Sequence, residues 1–244
     1  MSERFTYPMG EIRKAKDRAQ EAAARCDRFS VPVNGTLSAA PVLESFECLR
    51  MNPNFMLIAF LRGNVEGDSR VVALPAGFEL GGADDLRFPL ADLCDVDKPY
   101  ARYSSDYGIC VPLGAGLRFM RVVDGDGSPW SYLCASLAVR QLLDVAVFGP
   151  DVREHDWFEH RIVAAWPRCL PRSLISGGYA SKTPRRPEVV GDSGVFTVRF
   201  YSYHRPTGTR ESVQLHEDTY REGTYDPFFT RTDVAVGRGP AWWY

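Results

Sequence analysis

The sequence predicts an α+β fold, with a mixed or antiparallel sheet packed on a buried central helix. The helix pattern over 128–148 is apolar on nearly all sides, which is typical of a helix inside a core. Strand-forming segments occur in adjacent pairs, which predicts hairpins. Because 244 residues fit one large core, we expect a single α+β domain over 1–218 and an extended C-terminal arm over 219–244.

An N-terminal helix is predicted over about 11–28, where apolar residues recur at three- and four-residue spacing. This stripe consists of Ile12, Ala15, Ala19, Ala22 and Cys26. Small side chains bury little area at about 25 cal/mol per Å². The helix therefore needs a close neighbour, either within the fold or on a partner.

Shorter elements fill the first half of the chain. We expect a short helix over 42–51 and a hairpin formed by 55–62 and 70–74. A strand is predicted over 117–123, ahead of the core helix that begins at Ser128-Pro129.

A second hairpin is predicted from 195–204 and 210–217, joined by a four-residue loop at 206–209. This register separates apolar from polar side chains, and a shift of one residue would mix them. It also places His204 and His216 on opposite faces. The apolar face holds Phe196, Val198, Phe200, Val213 and Leu215, and the polar face holds Arg199, Tyr201, Tyr203, Gln214 and His216.

A further helix is predicted over 151–166, after a Gly-Pro break. On that helix, His155 and Glu159 would be about 40° apart, whereas His160 would point about 140° away from His155. Two histidines so placed cannot bind one ion. We therefore expect a hydrogen-bonded pair of His155 and Glu159, no metal site and no cofactor.

Composition and charge are those of an ordinary globular protein. Hydrophobic residues make up 45% and charged residues 25%, with a net charge of −2 and a pI of about 6.1. The longest apolar run, 55–61, is too short for a membrane span. The six cysteines form no CxxC pair and the N-terminus lacks a signal-peptide pattern. These features predict an intracellular protein with reduced thiols.

Two acidic loops suggest an enzymatic alternative. Residues 124–128 read Asp-Gly-Asp-Gly-Ser, and 191–193 read Gly-Asp-Ser. Together they resemble the nucleophile loop and the metal-binding segment of haloacid-dehalogenase-type phosphatases. The resemblance implies that Asp124 attacks phosphorus, Asp126 acts as acid and base, and Asp192 helps to hold Mg²⁺. The alternative function is therefore a metal-dependent phosphate-ester hydrolase.

The sequence departs from that family next to the loop. Arg118 and Arg121 occur where a central parallel strand should be wholly apolar. Cys134, in the second turn of the core helix, is predicted to be a buried structural thiol rather than a nucleophile.

A basic segment suggests a third function. Residues 161–187 contain six basic residues and no acidic one. We therefore consider an anion-binding or nucleic-acid-binding module, with phosphate or nucleic acid as the partner. After Arg161, its basic residues are Arg168, Arg172, Lys182, Arg185 and Arg186.

The leading function follows from the aromatic C-terminus and the lack of a complete catalytic set. An exposed aromatic patch normally marks a contact, so the chain is predicted to be a non-catalytic structural or interaction subunit of a larger intracellular or viral assembly. Its partners would be other proteins or further copies of itself. With the basic residues of 168–186, the expected contact residues are Phe228, Phe229, Trp242, Trp243 and Tyr244.

Overall fold

The computed structural model combines a few helices with a large antiparallel sheet. It describes residues 2–25, 36–61, 69–76, 120, 122–146, 160–167, 183–204 and 211–236, and every structural statement below refers to these residues. The helices are α1 (Met9–Arg25), α2 (Ala40–Glu44) and α3 (Pro129–Ala146). None of them is both long and apolar enough to cross a lipid bilayer.

The large sheet has six strands, and all of its pairings are antiparallel. The order is β1-β8-β9-β10-β11, and β7 pairs with β9 beyond the end of β8. Among the described strands, β1 and β11 are therefore the two ends of this order, and β7 also has β9 as its one neighbour. The strands are β1 (Glu3–Thr6), β7 (Arg161–Val163), β8 (Glu188–Asp192), β9 (Val195–His204), β10 (Ser212–Arg221) and β11 (Phe228–Val236).

Two smaller antiparallel sheets complete the described fold. One has the order β2-β4-β5, and the other pairs β3 with β6. The hairpin of β4 and β5 confirms the prediction for 55–62 and 70–74. The strands are β2 (Thr36–Ser38), β3 (Leu49–Met51), β4 (Phe55–Leu61), β5 (Ser69–Pro75) and β6 (Val123–Gly125).

Helix α3 starts as the sequence predicts. The Oγ of Ser128 accepts a hydrogen bond from the backbone N–H of Ser131 at 3.2 Å, and Pro129 is the first helical residue. Every residue from 131 to 142 is buried. The helix contacts α1, α2 and strands of all three sheets.

Helix α1 confirms the predicted N-terminal helix, although its end at 26–28 lies outside the described residues. Ile12, Ala15 and Ala19 are buried, and the helix packs on α3 and α2. The alanine stripe therefore finds its close neighbour inside the fold. It gives no support for a partner, because the described part of the chain already covers it.

Three predicted elements are corrected. The helix expected over 42–51 ends at Glu44 and is followed by β3. Of the strand expected over 117–123, the structure describes residues 120, 122 and 123, and of these only Val123 lies in a strand, the short β6. The helix expected over 151–166 is wrong at its C-terminal end, because β7 occupies 161–163. His155 and Glu159 lie outside the described residues.

The register of the second hairpin is one residue away from the prediction. Phe200 pairs with His216 rather than with Leu215. Since one step turns every side chain to the other face, His204 and His216 lie on the same face of the sheet. The predicted separation of apolar from polar residues is therefore wrong.

The segment predicted to be an arm begins inside the sheet. Residue 219 belongs to β10, and β11 pairs with β10 from Phe228 to Val236, with a β-bulge at Val234. In this part of the chain the aromatic side chains Tyr220 and Tyr225 are buried. The remainder, including Trp242, Trp243 and Tyr244, lies outside the described residues.

Candidate functional site

The aspartates of the hydrolase hypothesis come from two different sheets and from the turn before α3. Asp124 belongs to β6, which pairs with β3, whereas Asp192 ends β8 in the large sheet. Among the described residues, no group of three or more His, Cys, Asp or Glu side chains could hold a metal ion. The structure therefore does not assemble Asp124, Asp126 and Asp192 into a magnesium site.

Asp126 has a structural role in the turn before α3. Its Oδ1 accepts a hydrogen bond from the backbone N–H of Ser128 at 2.9 Å. Partial burial raises the pKa of Asp126, but hydrogen bonds from Ser128 and Ser131 outweigh that effect and leave the pKa lowered. The carboxylate stabilises the loop that leads into the helix.

Cys134 is unsuited to nucleophilic chemistry. It is a buried free thiol, and hydrogen bonding to Cys48, followed by burial, raises its pKa well above the ordinary value. The thiol form therefore dominates at neutral pH. Both cysteines in the described part of the chain are free, as the reduced-thiol prediction requires of them.

The end of the basic segment lines a groove on the large sheet. Arg185 and Arg186 are exposed and share a cavity of about 190 Å³ with Arg199. Glu188 and Glu217 also line it, and Arg199 donates from Nε to Oε1 of Glu217 at 2.8 Å. Within the described residues, no ion pair involves Arg185 or Arg186. Arg168, Arg172 and Lys182 lie outside the described residues.

A buried polar network that the sequence analysis missed lies between α3 and the large sheet. It contains three histidines, of which His204 and His216 come from β9 and β10 and His160 directly precedes β7. The rings of His160 and His204 stack with their centroids 4.1 Å apart. The ring of His216 stacks on Phe200 at 4.7 Å.

An ion pair anchors this network to the helix. Arg140 of α3 meets Asp218 of β10 in a bidentate contact, with NH1 to Oδ2 at 2.6 Å and NH2 to Oδ1 at 2.9 Å. Both side chains are buried. Arg140 also donates to the carbonyl oxygen of Ser136 at 2.7 Å, and its guanidinium lies 4.8 Å from the centre of the Phe200 ring. Such planar, two-bond recognition is the arrangement for which arginine is best suited.

The positions of the protons follow from the chemistry of arginine. Because a guanidinium only donates, Nδ1 of His216 must accept from Arg140, whose Nε and NH2 lie 3.3 and 3.1 Å away. The proton of His216 is then on Nε2 and is donated to the Oγ of Ser202 at 2.8 Å. The hydroxyl proton of Ser202 is thus available to Nδ1 of His160 at 3.0 Å. A directed chain of hydrogen bonds runs from Arg140 to His160.

This direction excludes His216 as a general base for Ser202, and the remaining acceptor, Nδ1 of His160, faces a hydroxyl that is buried away from any substrate. A general base must accept the hydroxyl proton of Ser202, but Nε2 of His216 already carries a proton and Nδ1 already accepts. Ser202 is also fully buried. The arrangement can hold α3 and the sheet in one relative position, and it offers no reacting atom to a substrate.

His160 and His216 are neutral at physiological pH. Burial, followed by the nearby His204 and Arg231, lowers the pKa of His160 to about 2. Burial, followed by Arg140, lowers the pKa of His216 well below its ordinary value. An imidazolium beside the Arg140 guanidinium would be a second buried cation without an acidic partner. Both histidines therefore stay neutral in the folded protein.

Strand β11 is the most distinctive surface of the described chain. It pairs with β10 along one side and is an edge of the described sheet on the other. Phe228 at its start is 73% exposed and Val236 at its end is 40% exposed. Two exposed charged residues, Arg231 and Asp233, lie between them. Within the described residues, the strand therefore combines apolar ends and a charged middle with a row of backbone groups to which no other strand pairs.

Comparisons with protein families, with curated proteins and with solved structures found no match to this chain.

Proposed function

We propose that the chain is a non-catalytic structural or interaction subunit of a larger assembly, and that strand β11 is its docking edge. The observation that supports this is the nine-residue edge strand with Phe228 73% exposed at its start. In this proposal α3 is the central helix of a rigid body that presents the edge.

An edge strand is suited to docking because its outward N–H and C=O groups are available for pairing. A second strand that adds to the edge gains main-chain hydrogen bonds, and side-chain contacts then give specificity. Phe228 offers the large apolar contact that is typical of interface anchors. A large apolar side chain exposed at such an edge normally marks a contact with a partner.

Removal of the apolar ends of β11 should release the chain from its assembly. We expect the tagged wild-type chain to migrate above the 27.3 kDa of one chain in a native extract of the source cells. The double variant Phe228→Ser/Val236→Ser should migrate as a single chain, because it lacks the apolar contacts. Size-exclusion chromatography with immunodetection measures this.

The matched control is Val195→Ser. Val195 is 39% exposed, almost the same as Val236, but it belongs to β9 rather than to the edge. The control should migrate like the wild type. A wild-type chain that migrates at the mass of one chain, or an equal loss in the control, would contradict the proposal.

A second candidate, anion binding, is favoured by the groove of Arg185, Arg186 and Arg199. Two of these guanidiniums are exposed, and planar forks of this kind bind phosphate in pairs of hydrogen bonds. Glu188 and Glu217 reduce the net positive charge, which predicts weak binding of a small anion.

Loss of both exposed arginines should weaken anion binding in the groove. We expect pyrophosphate to bind the wild type and to bind Arg185→Gln/Arg186→Gln about tenfold more weakly, since each charge-assisted contact adds roughly 1.5–3 kcal/mol at most. Titration calorimetry measures this, with Arg161→Gln as the control from the same basic segment. Absence of binding to the wild type would exclude this candidate.

A further inference from the structure

We infer that the occupant of the β11 edge is a second copy of this chain, with the two β11 strands antiparallel about a two-fold axis at Thr232. This inference rests on the proposed function, because it names the partner of the same edge. It would join two six-stranded sheets into one continuous sheet. Two features support this pairing, the symmetry of antiparallel strands and the order of charges along β11.

A two-fold axis restricts the possible registers. Antiparallel pairs alternate between hydrogen-bonded and non-hydrogen-bonded types, so symmetry requires one residue to face its own copy. Most residues of β11 can therefore pair with the second copy only if the axis passes through one of the central residues of the strand. Thr232 is the middle residue of Phe228–Val236.

With the axis at Thr232, the sequence of β11 is self-complementary. Arg231 faces Asp233 of the second copy, and the two-fold axis makes this contact twice. Phe228 and Val236 take no part in this match, because the bulge at Val234 leaves them on opposite faces of the sheet.

The neighbouring register fails on charge. With the axis at Arg231, this exposed guanidinium would face its own copy, and Asp233 would face Phe229. Like charges directly opposite each other destabilise a strand pair, whereas opposite charges stabilise it. Charge complementarity therefore selects the axis at Thr232.

The same charges explain why the edge need not pair with other strands. Charged residues and a β-bulge are features that ordinarily protect edges, and β11 has both. An unrelated strand would leave Arg231 and Asp233 without partners of opposite charge. Only a strand with the inverse charge order satisfies both, and a second copy has that order because of the two-fold axis.

Cysteine trapping tests the position of the axis. In Thr232→Cys the two thiols would face each other, with Cα atoms about 4.5–5.5 Å apart, which is within disulfide range. In Thr230→Cys the offset is four residues, or about 14 Å, which is too far. After mild oxidation of the purified chain, we expect covalent dimer from Thr232→Cys beyond the wild-type background and none from Thr230→Cys.

These two variants form a matched pair. Thr230 and Thr232 are both half-buried threonines of the same strand. The wild-type chain controls for the native thiols, which include the free Cys48 and Cys134. Equal trapping of both variants, or none of Thr232→Cys, would overturn the inference.

Exchanging the charges of Arg231 and Asp233 tests the pairing without forming a disulfide bond. Arg231→Asp places acidic groups opposite each other twice, so we expect the dimer dissociation constant to rise by about tenfold or more. Arg231→Asp/Asp233→Arg restores opposite charges and should restore the dimer. Asp233 also accepts a hydrogen bond from Nε2 of Gln214 at 3.0 Å, and recovery despite this loss would point to the contact between copies.

Sedimentation of the purified full chain measures these dissociation constants. If Arg231→Asp leaves the mass unchanged, or the double variant stays dissociated, the self-pairing is wrong. A purified wild type that is a single chain but migrates as a larger species in the cell extract would overturn self-pairing and leave the proposed function standing. A single chain in both settings would overturn both.

Discussion

Replacement of Asp218 by Ala should lower the free energy of unfolding by about 3–5 kcal/mol. The change leaves the guanidinium of Arg140 buried without its bidentate carboxylate, whose oxygens lie at 2.6 and 2.9 Å. It also frees Arg140 to move away from His216, which loses the donor that fixes its tautomer. Urea unfolding at pH 7.5, with the slope checked for two-state behaviour, measures the loss.

Two variants show whether burial is the cause. Arg18→Ala removes an exposed ion pair to Glu47, formed at 2.9 Å, and should cost less than about 1 kcal/mol. Arg140→Met/Asp218→Leu removes both buried charges and should be more stable than Asp218→Ala. If Asp218→Ala costs no more than Arg18→Ala, the buried network does not stabilise the fold.

Mildly acidic pH should lower the stability of this protein. His160 and His216 are neutral in the fold, whereas an unfolded histidine has a pKa near 6.5. Below about pH 6.5 the unfolded chain therefore binds more protons, and stability falls as the pH falls. The slope reaches about 1.4 kcal/mol per pH unit for each histidine, so at pH 5 the loss for the pair is about 4 kcal/mol.

The charges that face these rings all act in the same direction. Besides His204, the neighbours Arg140, Arg231 and Lys16 oppose protonation of His160. Urea unfolding at pH 7.5, 6.0 and 5.0 measures the slope. In His160→Gln the slope should fall to about half, because His216 then contributes alone of the pair. A stability that does not change between pH 7.5 and 5.0 would contradict the assignment of neutral buried histidines.

Local signals in the sequence predicted several elements well. The cap at Ser128, with Pro129 as the first helical residue, located the start of α3. The three- and four-residue spacing of the alanine stripe located α1, and paired strand-forming segments located the hairpin of β4 and β5. Each of these signals depends on residues that are close in the sequence.

The buried network was missed because polarity gave the wrong register for β9 and β10. The inner face of these strands holds Ser202, His204 and His216, and on that face hydrogen bonds replace apolar contacts. Leu215 and Tyr201, in turn, belong to a separate buried cluster on the other face. With buried residues on both faces, alternation of polarity no longer identifies the core side.

One residue did signal the network. Arg140 occurs in a mostly apolar helix, and a buried guanidinium requires an acidic partner. The partner, Asp218, is 78 residues away in the sequence, and nothing local connects the two. The network depends on a contact between two distant segments, and the local properties of neither segment indicate that contact.

Strand β11 was not predicted from the sequence, for a related reason. Its residues mix aromatic, charged and small side chains, so they show no simple alternation. The pairing with β10 holds them in a strand, and its bulge at Val234 interrupts the period that sequence reasoning relies on.

Amide hydrogen exchange of the purified full chain tests the docking edge most directly. With increasing protein concentration, the backbone amides of β11 should exchange more slowly, because a second strand covers them. The amides of β1, at the opposite edge of the described sheet, should not change. Exchange in β11 that is independent of concentration across the range where cysteine trapping and sedimentation are performed, or slowing confined to β1, would contradict the account.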